Sequence, residues 1–298
     1  MSLRGLVLTG ILYGVLGCSR KEAAPRAESS SRPAIAALGR LSSSELHLPP
    51  GSGPSRRRPL LLLLHGYGDD GAHFVTSSGW ADFAGKEAIA WLAPDGSLSS
   101  SGKRFWNAGE SCCNFDRASV DHVGELRAAL EAALATGAID PERVFVVGFS
   151  NGGFMAHRLG CELGGLVKAV VSISGAGPPP PQSCPATAPV RVLEVHGDAD
   201  PVVSYQGGRV FRHGSEREHL SAESTVEGWA ERLGCDGPPE PVRDFDLEAR
   251  IPGDETRVSR FRNCRRGAVE LWTVHGGRHL IGFHAPAQQA IWSFLNER

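Results

Sequence analysis

Short apolar runs of strand length alternate with amphipathic stretches of helix length along most of the chain. The apolar runs predict strands at residues 60–64, 89–92, 144–147, 169–173, 190–195 and 269–274. The early runs are almost wholly apolar, as strands covered on both faces must be. Between them, residues 120–135 set Val120, Val123, Leu126 and Leu130 on one helical face. Residues 152–163 and 287–296 also read as helices. This alternation predicts an α/β fold with a mostly parallel central sheet and helices on both faces. Residues 236–266 are polar and charged without a clear period, and fit either an antiparallel edge or an excursion near a functional site. The proline run at residues 178–181 reads as a loop inside the domain.

The chain has 298 residues, 41% of them apolar, which supports one large core if most of the chain folds as a unit. Its formal charge is −2 and no basic run carries interleaved aromatics, so nucleic acid is not an expected partner. The first residues do not fit the fold. Arg4 precedes an apolar stretch at residues 5–16 that is short for a membrane span. It ends in Val15-Leu16-Gly17-Cys18, similar to the lipobox of bacterial lipoproteins, whose cysteine is lipidated. We therefore expect a lipoprotein-type signal at residues 1–18, a flexible tether at 19–41 and a catalytic domain at 42–298; a secretory signal cleaved elsewhere is the alternative. Membrane contact would then come only through lipid at Cys18. Six cysteines follow, Cys112, Cys113, Cys161, Cys184, Cys235 and Cys264, an even number that suggests disulfides in an exported protein.

The candidate chemistry begins where residues 144–147 run into Gly148-Phe149-Ser150-Asn151-Gly152-Gly153 and then a helical pattern. Strand, G-x-S-x-G and helix together make the nucleophile elbow of the α/β-hydrolase fold, with Ser150 at its tip. A serine needs a base, and the base needs a carboxylate to orient it. In this fold the order is Ser, acid, His. Asp200 follows the strand at 190–195 and is the expected acid, with Asp198 the alternative. His279, on the glycine-rich loop after the last strand, is the expected base ahead of His275 and His284. The oxyanion donors expected are the backbone N–H groups of Asn151 and Tyr67, the latter in His65-Gly66-Tyr67-Gly68 after the first strand. His65, Asp69, Asp70 and His73 lack a metalloprotease spacing, so neither metal nor cofactor is expected.

Trp106-Asn107-Ala108-Gly109 with Cys112-Cys113, Val120-Asp121, the Ser150 elbow and Gly276-Gly277-Arg278-His279 together resemble the secreted polyhydroxybutyrate depolymerase and feruloyl/acetylxylan esterase group. The resemblance runs from about residue 60 to the end and implies the same triad, Ser150, Asp200 and His279. It implies hydrolysis of feruloyl or acetyl esters on polysaccharide, or of hydroxyalkanoate esters, through an acyl-enzyme. Trp106 and Phe149 are expected as aromatic walls of the substrate site. Cys235 and Cys264 flank the polar 236–263 stretch, and the family tends to have a cysteine at each point, so a disulfide is expected between them. The chain departs from the family at Tyr67-Gly68-Asp69-Asp70, at Asp121-His122 and at Leu280-Ile281-Gly282, and two of these border the substrate site. A serine peptidase of the same fold is the enzymatic rival, and a non-catalytic surface-binding protein is the rival of another class. Retention of Ser, Asp and His in order speaks against the second.

Overall fold

A computed structural model describes residues 45–178, 184, 188–211, 217–283 and 285–297. The expected signal, the tether and His284 lie outside them. Among the described residues, no helix is long and apolar enough to cross a membrane.

The chain runs through β1 (Arg58–Leu64), α1 (Gly71–Ser77), α2 (Trp80–Lys86), β2 (Ala90–Leu92), β3 (Ser97–Leu98) and β4 (Arg104–Phe105). It continues with α3 (His122–Ala135), β5 (Ile139–Phe149), α4 (Asn151–Glu162), β6 (Ala169–Ile173) and β7 (Val190–Gly197). It closes with α5 (Ala222–Leu233), β8 (Asp236–Phe245), β9 (Thr256–Arg262), β10 (Gly267–Val274) and α6 (Ala285–Asn296). Eight strands form one sheet in the order β2-β1-β5-β6-β7-β10-β9-β8. From β2 to β10 all neighbours are parallel, while β10–β9 and β9–β8 are antiparallel.

Leu60 to Leu64 are all 0% exposed, which explains why β1 reads as an unbroken apolar run: both of its faces are covered. Leu61, Leu63, Phe145, Val147, Val171, Leu193, Val195 and Trp272 point to one face and pack with Phe74, Trp80, Ile291, Trp292 and Leu295 from α1, α2 and α6. Alternate residues turn to the other face. There α3, α4 and α5 lie against β5, β6, β7 and β10. The expected helices on both faces are present.

The ambiguous 236–266 region is an antiparallel edge. Pro238, Pro239 and Pro241 lie in β8, the outermost strand, which is where a sheet tolerates proline. Helix α5 has no counterpart among the predicted elements. Its local signals are nonetheless ordinary: Ser221 accepts from the Ser224 N–H at 2.9 Å, and Gly234 ends it at φ 68°. Disulfides join Cys112 to Cys113, Cys161 to Cys184 and Cys235 to Cys264.

The Cys235–Cys264 bond closes the β8–β9 edge, since Asp236 pairs with Arg262 directly inside it. Its ends lie 29 positions apart in sequence, so it removes enough unfolded-chain freedom to contribute about 3–4 kcal/mol. Replacing both cysteines by serine is expected to lower stability by that amount in denaturant titration. Non-reducing peptide mapping should recover the two peptides linked, and a freely alkylated Cys235 would contradict this.

Candidate active site

Three loops at the carboxyl ends of β5, β7 and β10 meet above the sheet, and each brings one titratable or nucleophilic group. The first is the turn between β5 and α4. Ser150 has φ 53° and ψ −119°, a conformation that L-residues rarely adopt. Its N–H donates to the Ile173 carbonyl at 2.8 Å. The turn closes so tightly that a Cβ at Gly148 would sit 2.0 Å from the Gly152 oxygen, and one at Gly152 would sit 2.2 Å from the Leu64 oxygen. The two glycines of G-x-S-x-G are therefore steric requirements.

The second loop follows β7. Asp200 Oδ1 accepts from the N–H groups of Val202 at 2.8 Å and Val203 at 3.0 Å. Its Oδ2 faces His279 Nδ1 at 2.7 Å. Burial by itself would raise the Asp200 pKa, yet hydrogen bonds from His196, His279 and the Val202 amide hold its carboxyl well below the usual range. Because Asp200 is a carboxylate, His279 Nδ1 donates and Nε2 is left to accept from Ser150 Oγ, 2.9 Å away. Ser150, His279 and Asp200 thus form one hydrogen-bonded line.

The third loop follows β10 and is tied to the second. The Asp198 N–H donates to the Val274 carbonyl at 3.1 Å, and the Ala199 N–H to the Gly277 carbonyl at 3.0 Å. Asp198 takes the role of a turn cap: its carboxylate meets His275 Nδ1 at 2.9 Å and the Gly276 N–H at 2.7 Å. His275 is thereby paired with Asp198 and takes no part in the Ser150 line. Two supports had no motif to announce them. Ser174 Oγ donates to the His279 carbonyl at 3.0 Å. Glu248, buried in the loop between β8 and β9, accepts from the Gly282 N–H at 2.7 Å and from Arg250, whose guanidinium reaches the Leu280 carbonyl. The edge hairpin therefore also braces the segment after His279.

Asn151 is the first residue of α4, so its N–H has no carbonyl four residues earlier within the helix. Its side chain is wholly buried and pairs both ways with the Trp106 backbone: the Trp106 N–H donates to Oδ1 at 2.6 Å, and Nδ2 donates to the Trp106 carbonyl at 3.0 Å. Tyr67 lies in the loop after β1, its ring edge-on to Phe115 at 5.3 Å. That loop is held by His65, whose Nδ1 donates to the Gly66 carbonyl at 2.7 Å while Nε2 accepts from the Gly96 N–H at 2.9 Å. Burial lowers the His65 pKa, consistent with this neutral tautomer. His122 is likewise buried and pushed down to about 4. Its Nδ1 accepts from the Asn107 N–H at 2.7 Å. Asp70 caps α1 through the His73 N–H, and His73 pairs with Asp69.

The structure corrects the expectation for Trp106. It is 0% exposed and its indole N–H donates to the His65 carbonyl at 3.0 Å, so it supports the loop after β1 from within and offers no exposed wall to a substrate. Phe149 is half-buried with its ring 5.1 Å from that of His279, on the border of the site.

Residues 51–215, which include Ser150 and Asp200, match the phospholipase/carboxylesterase family. The chain belongs to that family. "Putative esterase NocK" of Nocardia uniformis subsp. tsuyamanensis is 31% identical over 257 residues, covering 82% of this chain and 72% of that protein. "Feruloyl esterase B" of Piromyces equi is 26% identical over 244 residues, 78% of this chain, and the chain spans only 42% of its length. Among solved structures, the acetyl xylan esterase from Aspergillus awamori superposes with TM-score 0.59 at 14% identity, over 84% of this chain and 93% of that one. Esterase PE8 does so with TM-score 0.55 at 21% identity, over 86% and 98%. At these identities the two structures bear on the fold, which is that of the α/β hydrolases. As a member of the phospholipase/carboxylesterase family, the chain is a carboxylic ester hydrolase.

For this esterase, Gly152→Ala is expected to destabilise by about 1–3 kcal/mol through overpacking against the Leu64 carbonyl. It should also depress kcat, because relief of the clash shifts the Asn151 amide. A denaturant titration with parallel assays checks both, and a stable, fully active variant would contradict the packing argument.

Proposed function

We propose that Ser150 is the nucleophile, His279 the general base and Asp200 the acid of an ester hydrolysis that proceeds through an acyl-enzyme. The observation that carries this reading is the unbroken hydrogen-bonded line from Ser150 Oγ through His279 to Asp200 on a strained elbow. In the first half-reaction His279 takes the serine proton as Oγ attacks the ester carbonyl. It then returns that proton to the departing alcohol. In the second half-reaction water attacks the acyl-enzyme with His279 again as base, and the acid is released. The N–H groups of Asn151 and Tyr67 stabilise the oxyanion in both steps.

The substrate class we favour is an acetyl or aromatic acyl ester on polysaccharide. Relatives named feruloyl esterase support this, as do Phe149, Tyr67 and Phe115 near the elbow. Hydroxyalkanoate esters are the second reading, on the motif resemblance of the Trp106–Cys113 region. Export fits the three disulfides, which persist in oxidising compartments. Lipidation at Cys18 and the tether at 19–41 rest on the sequence pattern.

Assay of the purified chain on methyl ferulate, acetylated xylan, hydroxybutyrate oligomers and short p-nitrophenyl esters distinguishes the substrates. Ser150→Ala is expected to lower kcat by on the order of 10⁴–10⁶ without altering the thermal midpoint. Turnover above a few per cent of wild type would remove Ser150 from the nucleophile role.

His279→Ala and Asp200→Asn should each be severe, whereas His275→Ala and Asp198→Asn should keep most activity. The reverse pattern would transfer the roles. Activity should also decline on acidification, because the imidazole must be neutral to accept the serine proton. A profile flat from about pH 8 down to about pH 5 would contradict a histidine base.

A further inference from the structure

Behind Asp200 the hydrogen-bonded line continues into the core. Val192, Glu194 and His196 alternate along β7 toward one face, and Glu194 and His196 are both 0% exposed. His196 Nε2 lies 2.8 Å from the Val203 carbonyl and 3.5 Å from Asp200 Oδ2, while Nδ1 lies 3.0 Å from Glu194 Oε1. Glu194 Oε2 lies 2.8 Å from His157 Nε2 on α4. His157 Nδ1 in turn lies 3.0 Å from the indole nitrogen of Trp229 on α5.

Donor counting assigns most of the protons. An indole N–H only donates, so His157 Nδ1 accepts, its Nε2 carries the hydrogen, and Glu194 Oε2 accepts. A carbonyl only accepts, so His196 Nε2 donates to Val203. One proton is left to place, on His196 Nδ1 or on Glu194 Oε1. The negative charge of Asp200, on the far side of the ring, attracts a cation on His196, against the burial that favours a neutral ring. The remaining groups facing the ring are the Tyr205 edge at 5.8 Å, with its hydroxyl bonded to Thr273 of β10, His219 ahead of α5, and His279 beyond Asp200.

We propose that His196 is a positioning residue for the acid of the triad, a buried imidazolium that is held by Glu194 and fixes the Asp200 carboxylate in its ionised, His279-facing orientation. This rests on the reading of Asp200 as that acid. Burial opposes a charge on His196, but its hydrogen bonds to Asp200 and Glu194 outweigh burial and raise its pKa. Glu194 is lowered correspondingly, against burial, by its bonds to His157 and His196. The imidazolium sits between two carboxylates; with a neutral ring Asp200 would keep the Val202 and Val203 amides and the proton it shares with His279, but would face no cation.

The test has two arms on the full chain. In ¹⁵N-histidine NMR, with the ring assigned through its own backbone resonances, both His196 nitrogens are expected to stay protonated up to about pH 8, well above an ordinary histidine. A neutral ring at pH 7 overturns the proposal. In kinetics, His196→Gln is expected to lower kcat by on the order of 10- to 100-fold with KM little changed, as for a small misplacement of a catalytic group. The acidic limb of kcat/KM should move up by about one pH unit, because loss of the cation lets the Asp200–His279 pair take up a proton sooner. Wild-type kcat with an unmoved limb overturns the proposal, and so does lost kcat with an unmoved limb, the result of a merely structural role. Asp200→Asn is the control. If it is fully active, the triad reading itself fails; if it is inactive while His196→Gln is normal, only the present proposal fails.

Discussion

The carboxyl edge of the sheet is packed so closely that backbone meets backbone without room for a side chain. A Cβ at Gly148, Gly152 or Gly197 would fall 2.0, 2.2 or 2.2 Å from a carbonyl oxygen of a neighbouring segment. Everything that brings Ser150, Asp200 and His279 together depends on this approach. The β5–α4 turn can rise over β1 only because Gly152 clears Leu64, and the β7 and β10 loops can bond to each other only because Gly197 clears Gly277. Full pairing of β7 with β10, from Val190–Gly267 to Gly197–Val274, sets the height at which both loops emerge. Asp200 and His279 are therefore placed by strand register, and their side chains need only short reaches.

Such placement concentrates ionisable groups in a dry interior, where each one's partners bear on its charge. His65 is kept neutral, as its acceptor nitrogen takes a backbone N–H, while His196 lies between carboxylates. The consequences for stability have opposite signs. Asp200, lowered on folding, contributes stability that is present above the unfolded value of about 3.9 and is lost as pH falls through its lower folded value. His196, raised on folding, contributes stability that is fully present below about 6.5 and is lost as pH rises through its raised value. Between those limits both contributions coexist, so the site is most firmly held across the mildly acidic to neutral range.

The fold was legible because two-sided burial leaves a mark on composition: the central strands read as continuous apolar runs. The elbow was legible because its geometry demands glycine at fixed offsets. Legibility ended where function rests on tertiary pairing. Glu194 and His196 stand at wholly buried positions of β7, and a charge there is a signal, but its partners His157 and Trp229 lie on helices distant in sequence. Trp106 misled for a related reason. An aromatic beside a site motif fits a substrate wall and an internal support equally well, and only burial distinguishes them. Helix α5 has no counterpart in the sequence reading although Val226, Trp229, Ala230 and Leu233 recur at helical spacing, because no apolar run of strand length stands next to it to frame it.

The division between scaffold and rim follows from the same packing. Residues below the elbow are fixed twice over, by the sheet and by hydrogen bonds such as the Asn151–Trp106 pair, and a change there disturbs the loop after β1 as well. Residues above it carry few such ties. Leu280 is 64% exposed, Phe211 50% and Phe115 40%, all on loops that surround or adjoin the site. Two of the chain's departures from its family pattern, Tyr67-Gly68-Asp69-Asp70 and Leu280-Ile281-Gly282, fall in this upper layer. The backbone of both segments is nonetheless held, by the Gly68 N–H to the Arg104 carbonyl at 2.8 Å and by Glu248 to Gly282. Side chains at the rim can therefore vary in shape and polarity while the loops that carry them keep their course.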